Sequence, residues 1–377
     1  MRKPCLTALL LAVLLLAGCG RGQAVPVSAD TGTLMPLHYA EQFSVLRYAD
    51  GSALITIGAA DRYLLLPENA ERPAHDADAV LLRQPLGPVY LAASSVLDLF
   101  ICLDSLDRIR FTGLSRDNCS LPEAVDAMDT GRLLYAGKYS APDFELLLRE
   151  GCALAVENTM ITHSPEIQEQ LIALGIPVLV ERSSYESHPL GRLEWIKLYG
   201  LLLGCEAQAE AYFAAQERRL EALEPAAAEK KDVVFFYLNA AGAPVVRKGG
   251  DYAARMIELA GGRYVFEDLR RDETALSNVT LQMESFYREA RDADVLLYSS
   301  AIGGDLRTTD ELLAKAPLLA DFKAVQEGQV WCTEQNVYQQ SSRCADLVED
   351  LYEILSGKAD GVDQLRCLHR LTEKETS

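Results

Sequence analysis

Basic residues are in short supply in this chain: 36 Lys and Arg stand against 55 Asp and Glu, a formal charge of -19. Such a surface repels phosphate backbones, which excludes nucleic-acid binding through a basic face. Histidine is scarcer, with five copies at 38, 75, 163, 188 and 369 and no H-E-x-x-H motif, so a bare zinc or manganese site is not expected. The Gly-x-Ser-x-Gly elbow, the Walker loop and Gly-x-Gly-x-x-Gly after a strand are all missing, and Gly249-Gly250-Asp251 is too short to cradle a phosphate. No apolar run after residue 16 approaches the roughly 20 residues of a membrane span. What is abundant is ordinary: 49% hydrophobic and 24% charged residues describe a globular protein of one large or two medium domains.

Arg2 and Lys3 precede an apolar stretch from Leu9 to Leu16 that ends in Leu16-Ala17-Gly18-Cys19. The stretch reads as a secretion signal over residues 1–18, and the tetrapeptide resembles the bacterial lipobox. Cleavage before Cys19 would leave a lipidated N-terminus carrying diacylglycerol and an amide-linked chain such as palmitate, which holds an otherwise soluble body at the outer face of the cell membrane. Losing Arg2 and Lys3 makes the exported body more acidic still. Residues 19–42 are expected to be the tether. Of nine cysteines, Cys102, Cys119, Cys152, Cys205, Cys332, Cys344 and Cys367 remain after Cys5 and Cys19, an odd number with no Cys-x-x-Cys. Most sit in apolar runs such as Leu99 to Leu103, which favours buried free thiols over a disulfide framework and leaves room for one or two bridges.

Short β-type runs at Ser44–Tyr48, Leu54–Ile57 and Tyr63–Leu66, separated by Asp50-Gly51 and Ala60-Asp61, predict a small meander. After a polar loop at 68–78, strands and helices alternate: Val89–Ala92, Ile109–Thr112, Leu133–Ala136, Leu154–Glu157 and Val178–Glu181 are strands with helical stretches between them. That alternation predicts a parallel sheet covered by helices, with the functional surface at the carboxyl ends of the strands. Leu193 to Leu223 then reads as about thirty residues of helix stopped by Pro225. The α/β texture resumes with strands at Val233–Leu238, Val295–Ser299 and Val330–Thr333, a helix at Tyr252–Leu259 and a closing helix at Ser342–Leu355. The fold class is therefore α/β: two Rossmann-like lobes, 43–191 and 231–377, joined by one long α-helix within 192–230, with a ligand cleft between them.

Four stretches carry a resemblance to a known family. Ala141-Pro142-Asp143-Phe144-Glu145-Leu146-Leu147 leads into Cys152-Ala153-Leu154-Ala155-Val156; Leu174-Gly175-Ile176-Pro177-Val178-Leu179 forms a helix-turn-strand; Gly249-Gly250-Asp251-Tyr252 is followed by Glu258-Leu259-Ala260-Gly261-Gly262; and Met283-Glu284 leads into Asp292-Ala293-Asp294-Val295-Leu296. In this order they resemble the solute-binding lipoproteins of ABC importers for iron-siderophore, haem and cobalamin complexes. A further stretch from Glu186 to Lys197 is similar to the iron-complex branch. Two departures stand out: Ala153 replaces a strand-initiating Asp, and Glu284 lies two residues further from Asp294 than the family spacing.

The resemblance implies a monomeric, non-enzymatic receptor without a cofactor, which captures an iron chelate such as a ferric siderophore and delivers it to the transmembrane subunits of an ABC permease. Haem or a corrinoid is the alternative cargo, and a surface hydrolase the alternative class. Glu145 and Glu284 are the implied docking carboxylates, one per lobe, facing permease arginines. Loops after strand ends nominate the cleft residues, among them Ser94, Ser115, Thr159, Asn239 and Tyr298. The foremost ligand candidates are Arg192, Tyr139, Tyr185, Tyr252, Lys138, His188, Lys248, Arg307 and Tyr338, because guanidinium pairs bidentately with chelate oxygens and Tyr offers broad contact at low entropic cost. Their cations would make a locally basic pocket inside an acidic shell.

Overall fold

The computed structural model describes residues 32–224, 230–269 and 278–373, so the signal segment and Cys19 lie outside the described residues. The first sheet is the meander. β1 (Thr33–Leu34), β2 (Phe43–Arg47), β3 (Ala53–Ile57) and β4 (Asp61–Leu66) run antiparallel in that order, and β5 (Val80–Arg83) adds parallel to β4. The β2–β3 turn holds Gly51 at φ 85, and Ser52 donates its N–H and hydroxyl to Asp50 Oδ1, at 2.9 and 2.6 Å. Val45, Ile55 and Tyr63 stand in register across the three strands and point into one core, where the Tyr63 hydroxyl donates to the Val178 carbonyl of the next sheet at 2.8 Å.

The second sheet is wholly parallel, as the alternation predicted. β6 (Val89–Leu91), β7 (Ile109–Thr112), β8 (Leu134–Tyr135), β9 (Leu154–Asn158) and β10 (Val178–Glu181) lie in the order β10-β9-β6-β7-β8. Its side chains divide by period two: Val89, Leu91, Leu154 and Val156 pack on Phe100, Trp195 and Tyr199, while Tyr90, Phe111 and Ala155 pack on Leu147, Ile161 and Leu171. The third sheet has the order β14-β12-β11-β15-β16-β17, built from β11 (Asp232–Leu238), β12 (Pro244–Arg247), β13 (Arg263–Tyr264, on β11), β14 (Asn278–Thr280), β15 (Val295–Tyr298), β16 (Val330–Thr333) and β17 (Leu368–Arg370). Its centre is parallel and β12, β14 and β17 are antiparallel.

The single long connecting helix is a correction. Two helices occupy this stretch, Pro189–Leu203 and Glu206–Glu221. Gly204 takes φ +74, its N–H bonds to the Leu201 carbonyl and the Cys205 N–H to that of Gly200, a Schellman stop that a side chain at 204 would strain. A Cβ on Gly200 would lie 2.5 Å from the Ala209 Cβ, so glycine there lets the two helices cross at close range. The first helix is buried almost all round, including Glu194 and Lys197, and belongs to the core of the first lobe. The second reaches the other lobe, where Arg219 pairs with Asp346 and Glu349 of the Cys344–Leu355 helix at 2.5 and 2.7 Å.

The last residues of the expected tether are likewise part of the body. Glu194 accepts the backbone N–H groups of His38, Tyr39 and Ala40, and Glu186 accepts those of Glu41 and Gln42 together with the Trp195 indole, all within 3.1 Å. Five consecutive amides thus find two buried carboxylates. The seven cysteines are free thiols, as their apolar settings predicted.

Candidate functional site

The two lobes meet at the carboxyl ends of their strands. Asp98 of the first lobe accepts the Ser342 N–H at 2.9 Å. Gln339, in the loop after β16, bridges the lobes with its amide: Nε2 donates to the Asn118 carbonyl at 2.7 Å, and Oε1 accepts the Ser120 N–H and hydroxyl, each at 3.0 Å. Beside this latch, with Tyr338 and Gln340 flanking Gln339 in its lining, lies an open cleft whose other walls include Pro189, Arg192, Phe235, Tyr252 and Thr333.

One cluster dominates the lining. Arg192, in the first turns of the Pro189–Leu203 helix, lays its guanidinium carbon 4.0 Å from the centroid of Tyr252, the first residue of the Tyr252–Leu259 helix. Arg247, the last residue of β12, donates to the Tyr338 hydroxyl at 2.8 Å, which lies 3.2 Å from Ser299 Oγ. Asp251 caps the Tyr252 helix by accepting the Ala253 N–H and places its other oxygen 3.7 Å from Arg247 Nη1. Burial works against the charge on Arg247, but Tyr338, Tyr252 and Asp251 outweigh it and its pKa is raised. The same contest raises Arg192, where Tyr252 and Glu181 oppose burial. Burial comes first among the causes that push up the Tyr252 hydroxyl, so it stays a neutral donor.

Arg192 differs from its neighbour in one respect. Its five N–H donors meet no hydrogen-bond acceptor among the described residues; its contacts are the ring of Tyr252 and the more distant charges of Glu181 and Asp251. A half-buried guanidinium in that condition keeps its charge-assisted donors unused.

Of the nine foremost ligand candidates, the structure therefore brings Arg192, Tyr252 and Tyr338 together. The others stand elsewhere. His188 is the N-cap of its helix: Nδ1 accepts the Leu190 N–H at 3.1 Å, the ring stacks on Tyr39 at 4.6 Å, and burial, then Arg255, lowers its pKa to about 4. Tyr185 lies under the Arg182 guanidinium. Tyr139 packs against the second face of the parallel sheet, and Lys138 beside it is exposed. Lys248 is buried, its carbonyl accepting from the Asp251 N–H. Arg307 is exposed and pairs with Asp305 and Glu334 at 2.8 and 3.6 Å. Glu145 and Glu284 are each the second residue of an exposed helix start, in Phe144–Arg149 and Met283–Ala290.

Arg247, Asp251 and Gln339 escaped the foremost set read from the sequence. For Arg247 a signal existed: Pro244-Val245-Val246-Arg247 follows a turn at Asn239–Gly242, with Gly242 at φ 75, and is the return strand of a hairpin. Gln339 had none, because its partners lie about 220 residues away.

Comparison with known proteins agrees with this geometry. The periplasmic binding protein family matches residues 154–337. An uncharacterized lipoprotein of Methanocaldococcus jannaschii is 23% identical over 318 residues, covering 81% of this chain and 79% of its own length. Among solved structures, the periplasmic haem-binding protein HutB of Vibrio cholerae superimposes with a TM-score of 0.58 at 20% identity, over 71% of this chain and 98% of that one. An ABC-type Fe3+-hydroxamate transport protein from Saccharomonospora viridis does so with a TM-score of 0.55 at 19% identity, over 71% and 93%. The family match, which spans just under half of the chain, and the lipoprotein relative are of the kind that the sequence stretches resemble, and the solved structures share the two-lobe α/β fold. Among the described residues no helix is long and apolar enough to cross a membrane.

Proposed function

We propose that this protein is a lipid-anchored, extracytoplasmic receptor that captures an anionic iron chelate, of the ferric siderophore class, between its lobes and delivers it to an ABC permease. The observation that carries this reading is Arg192, a guanidinium without an acceptor, facing the cleft beside Arg247, Tyr252 and Tyr338. Two arginines and two phenols offer charge-assisted bonds and ring contact to the oxygen-rich, often aromatic shell of such a chelate. Cys19 is the proposed lipid attachment. Glu145 and Glu284, exposed at matching helix starts of the two lobes, are the proposed docking carboxylates. Haem is a second reading, favoured by the haem-binding neighbour; its propionates would use the same arginines.

Titrating the purified chain with ferric siderophores, haem and cobalamin, read by Tyr and Trp fluorescence and thermal shift, tests both. Quenching by a siderophore is expected, with Arg192→Gln weakening it about 30- to 100-fold, the cost of leaving an anion's charge-assisted bonds unmade. Equal affinity in wild type and Arg192→Gln overturns the site. Binding of none of the three, together with turnover of an ester or phosphoester, overturns the receptor reading. Glu145→Ala should lower permease coupling in reconstituted vesicles and leave ligand affinity unchanged.

A further inference from the structure

Three side chains remote in sequence converge in the second lobe outside the arginine cluster. Cys332 of β16 and His369 of β17 are direct cross-strand partners, so both leave the sheet on the same face. Asp305 joins them from the loop after the Ser300–Gly303 turn of helix, and one donor atom of each lies within 4.8 Å of the other two. Cys332 and His369 are buried.

The histidine is held in a specific way. Nδ1 lies 3.0 Å from Glu334 Oε1, while Nε2 lies 2.7 Å from the Leu306 carbonyl oxygen and 3.8 Å from Asp305 Oδ1. With the ring proton on Nδ1, toward the Glu334 carboxylate, Nε2 offers its lone pair in the way of a metal-ligating imidazole. With the proton on Nε2 instead, the 2.7 Å contact is an N–H donating to the Leu306 carbonyl oxygen, and a cation would take that proton's place. Arg307 Nε donates to Asp305 Oδ2 at 2.8 Å, so Oδ1 is the oxygen turned to the ring, and the Cys332 thiol has the Thr333 carbonyl at 3.6 Å and the Leu306 backbone beside it. Gln364 Nε2 donates to Glu334 Oε1 at 3.0 Å and steadies the orienting carboxylate.

We propose that Cys332, His369 and Asp305 bind a divalent cation of the zinc and cobalt class, with the Leu306 carbonyl as the nearest further oxygen and Glu334 orienting the imidazole from behind. A thiolate, an imidazole and a carboxylate suit such a borderline metal and not magnesium or calcium, which take oxygen donors. Ligation releases the thiol proton to solvent, and no electron moves. The metal would pin β17 and the Asp305–Arg307 corner to β16, whose next residue, Thr333, lines the cleft. It is a resident of the lobe and not the cargo.

Cobalt(II) titration of the purified chain tests this directly. The expected result is one equivalent bound, with visible d–d bands of a tetrahedral site and a near-ultraviolet thiolate-to-cobalt band, both abolished by added zinc. Cys332→Ser removes the thiolate band. Asp305→Asn, a change at the surface end of the site that spares the buried pair, weakens cobalt about tenfold or more. The spectrum of hydrated cobalt alone, or a thiolate band that survives Cys332→Ser, overturns the proposal and leaves His369 as a hydrogen-bonded link between Glu334 and Leu306.

Discussion

Two buried acids, one in each lobe, are held on opposite terms. In the first, Glu157 of β9 is fully buried, neither of its oxygens has a hydrogen-bond partner among the described residues, and burial alone raises its pKa to about 8. A proton neutralises it. In the second, Asp251 is equally deep but stands near Arg247, which in turn holds Tyr338, so charge is matched by charge. For the proposed site the difference matters: the second lobe keeps a buried ion network at its cleft face at a cost in stability, and the first lobe adds Arg192 to it.

The comparison can be broken most forcefully at Glu157. Its carboxyl ordinarily titrates near 4.5, and in the folded chain near 8, so the fold retains a proton that the unfolded chain has lost between those values. Stability from this group is therefore full below pH 4.5, falls as pH rises to about 8, and is level above. The whole loss is roughly 5 kcal/mol at most, from about 1.4 kcal/mol per pH unit, and roughly 4 kcal/mol of it falls between pH 5 and pH 9. Urea melts at pH 5 and pH 9 should show Glu157→Gln losing that much less than wild type; parallel losses in both would mean the acid is paired after all. Next in size, Arg247→Ala should cost about 3 kcal/mol at neutral pH, because Asp251 is left buried without its counter-charge and Tyr338 without its donor. Arg192→Gln, on the opposite side of the same cleft, should change the urea midpoint by under about 1 kcal/mol, since no acceptor loses a partner. Equal losses at 192 and 247 would erase the distinction between a residue built into the lobe and one held for a ligand.

Much of this was legible because it is local. Strands at Ile109–Thr112, Val178–Glu181 and Val330–Thr333 and the helix at Tyr252–Leu259 fall where period and turn chemistry put them. The break at Gly204 was not, since Glu206–Glu221 continues the helical composition and only the left-handed backbone of one glycine ends the run. Strands β5 and β17 are short edges whose partners, β4 and β16, supply the reason for their existence. At the site, Arg192 and Tyr252 were readable from loops after strand ends, whereas Tyr139 sits at such an end and packs on the parallel sheet, because a strand end fixes a neighbourhood and not a direction. The Cys332–His369 pair shows the same limit: antiparallel register brings together residues that no linear motif connects.

The smallest expected effect sharpens the comparison at the seam itself. Gln339 belongs to the loop that also carries Tyr338, so the amide that ties the lobes together and a phenol in the arginine cluster move as neighbours. Tyr338 and Gln340 on either side of Gln339 line the cleft, so any parting of the lobes or the loop that admits a chelate breaks the bonds of this latch. Each of its three bonds is partly solvent-exposed and worth about 0.5 kcal/mol or somewhat more. Gln339→Ala should therefore raise the association rate of the chelate several-fold in stopped-flow quenching, while leaving the urea midpoint within about 1 kcal/mol of wild type. A slower association would show that these bonds form with the ligand in place and help to hold it, which would bring the first lobe into recognition through more than Arg192.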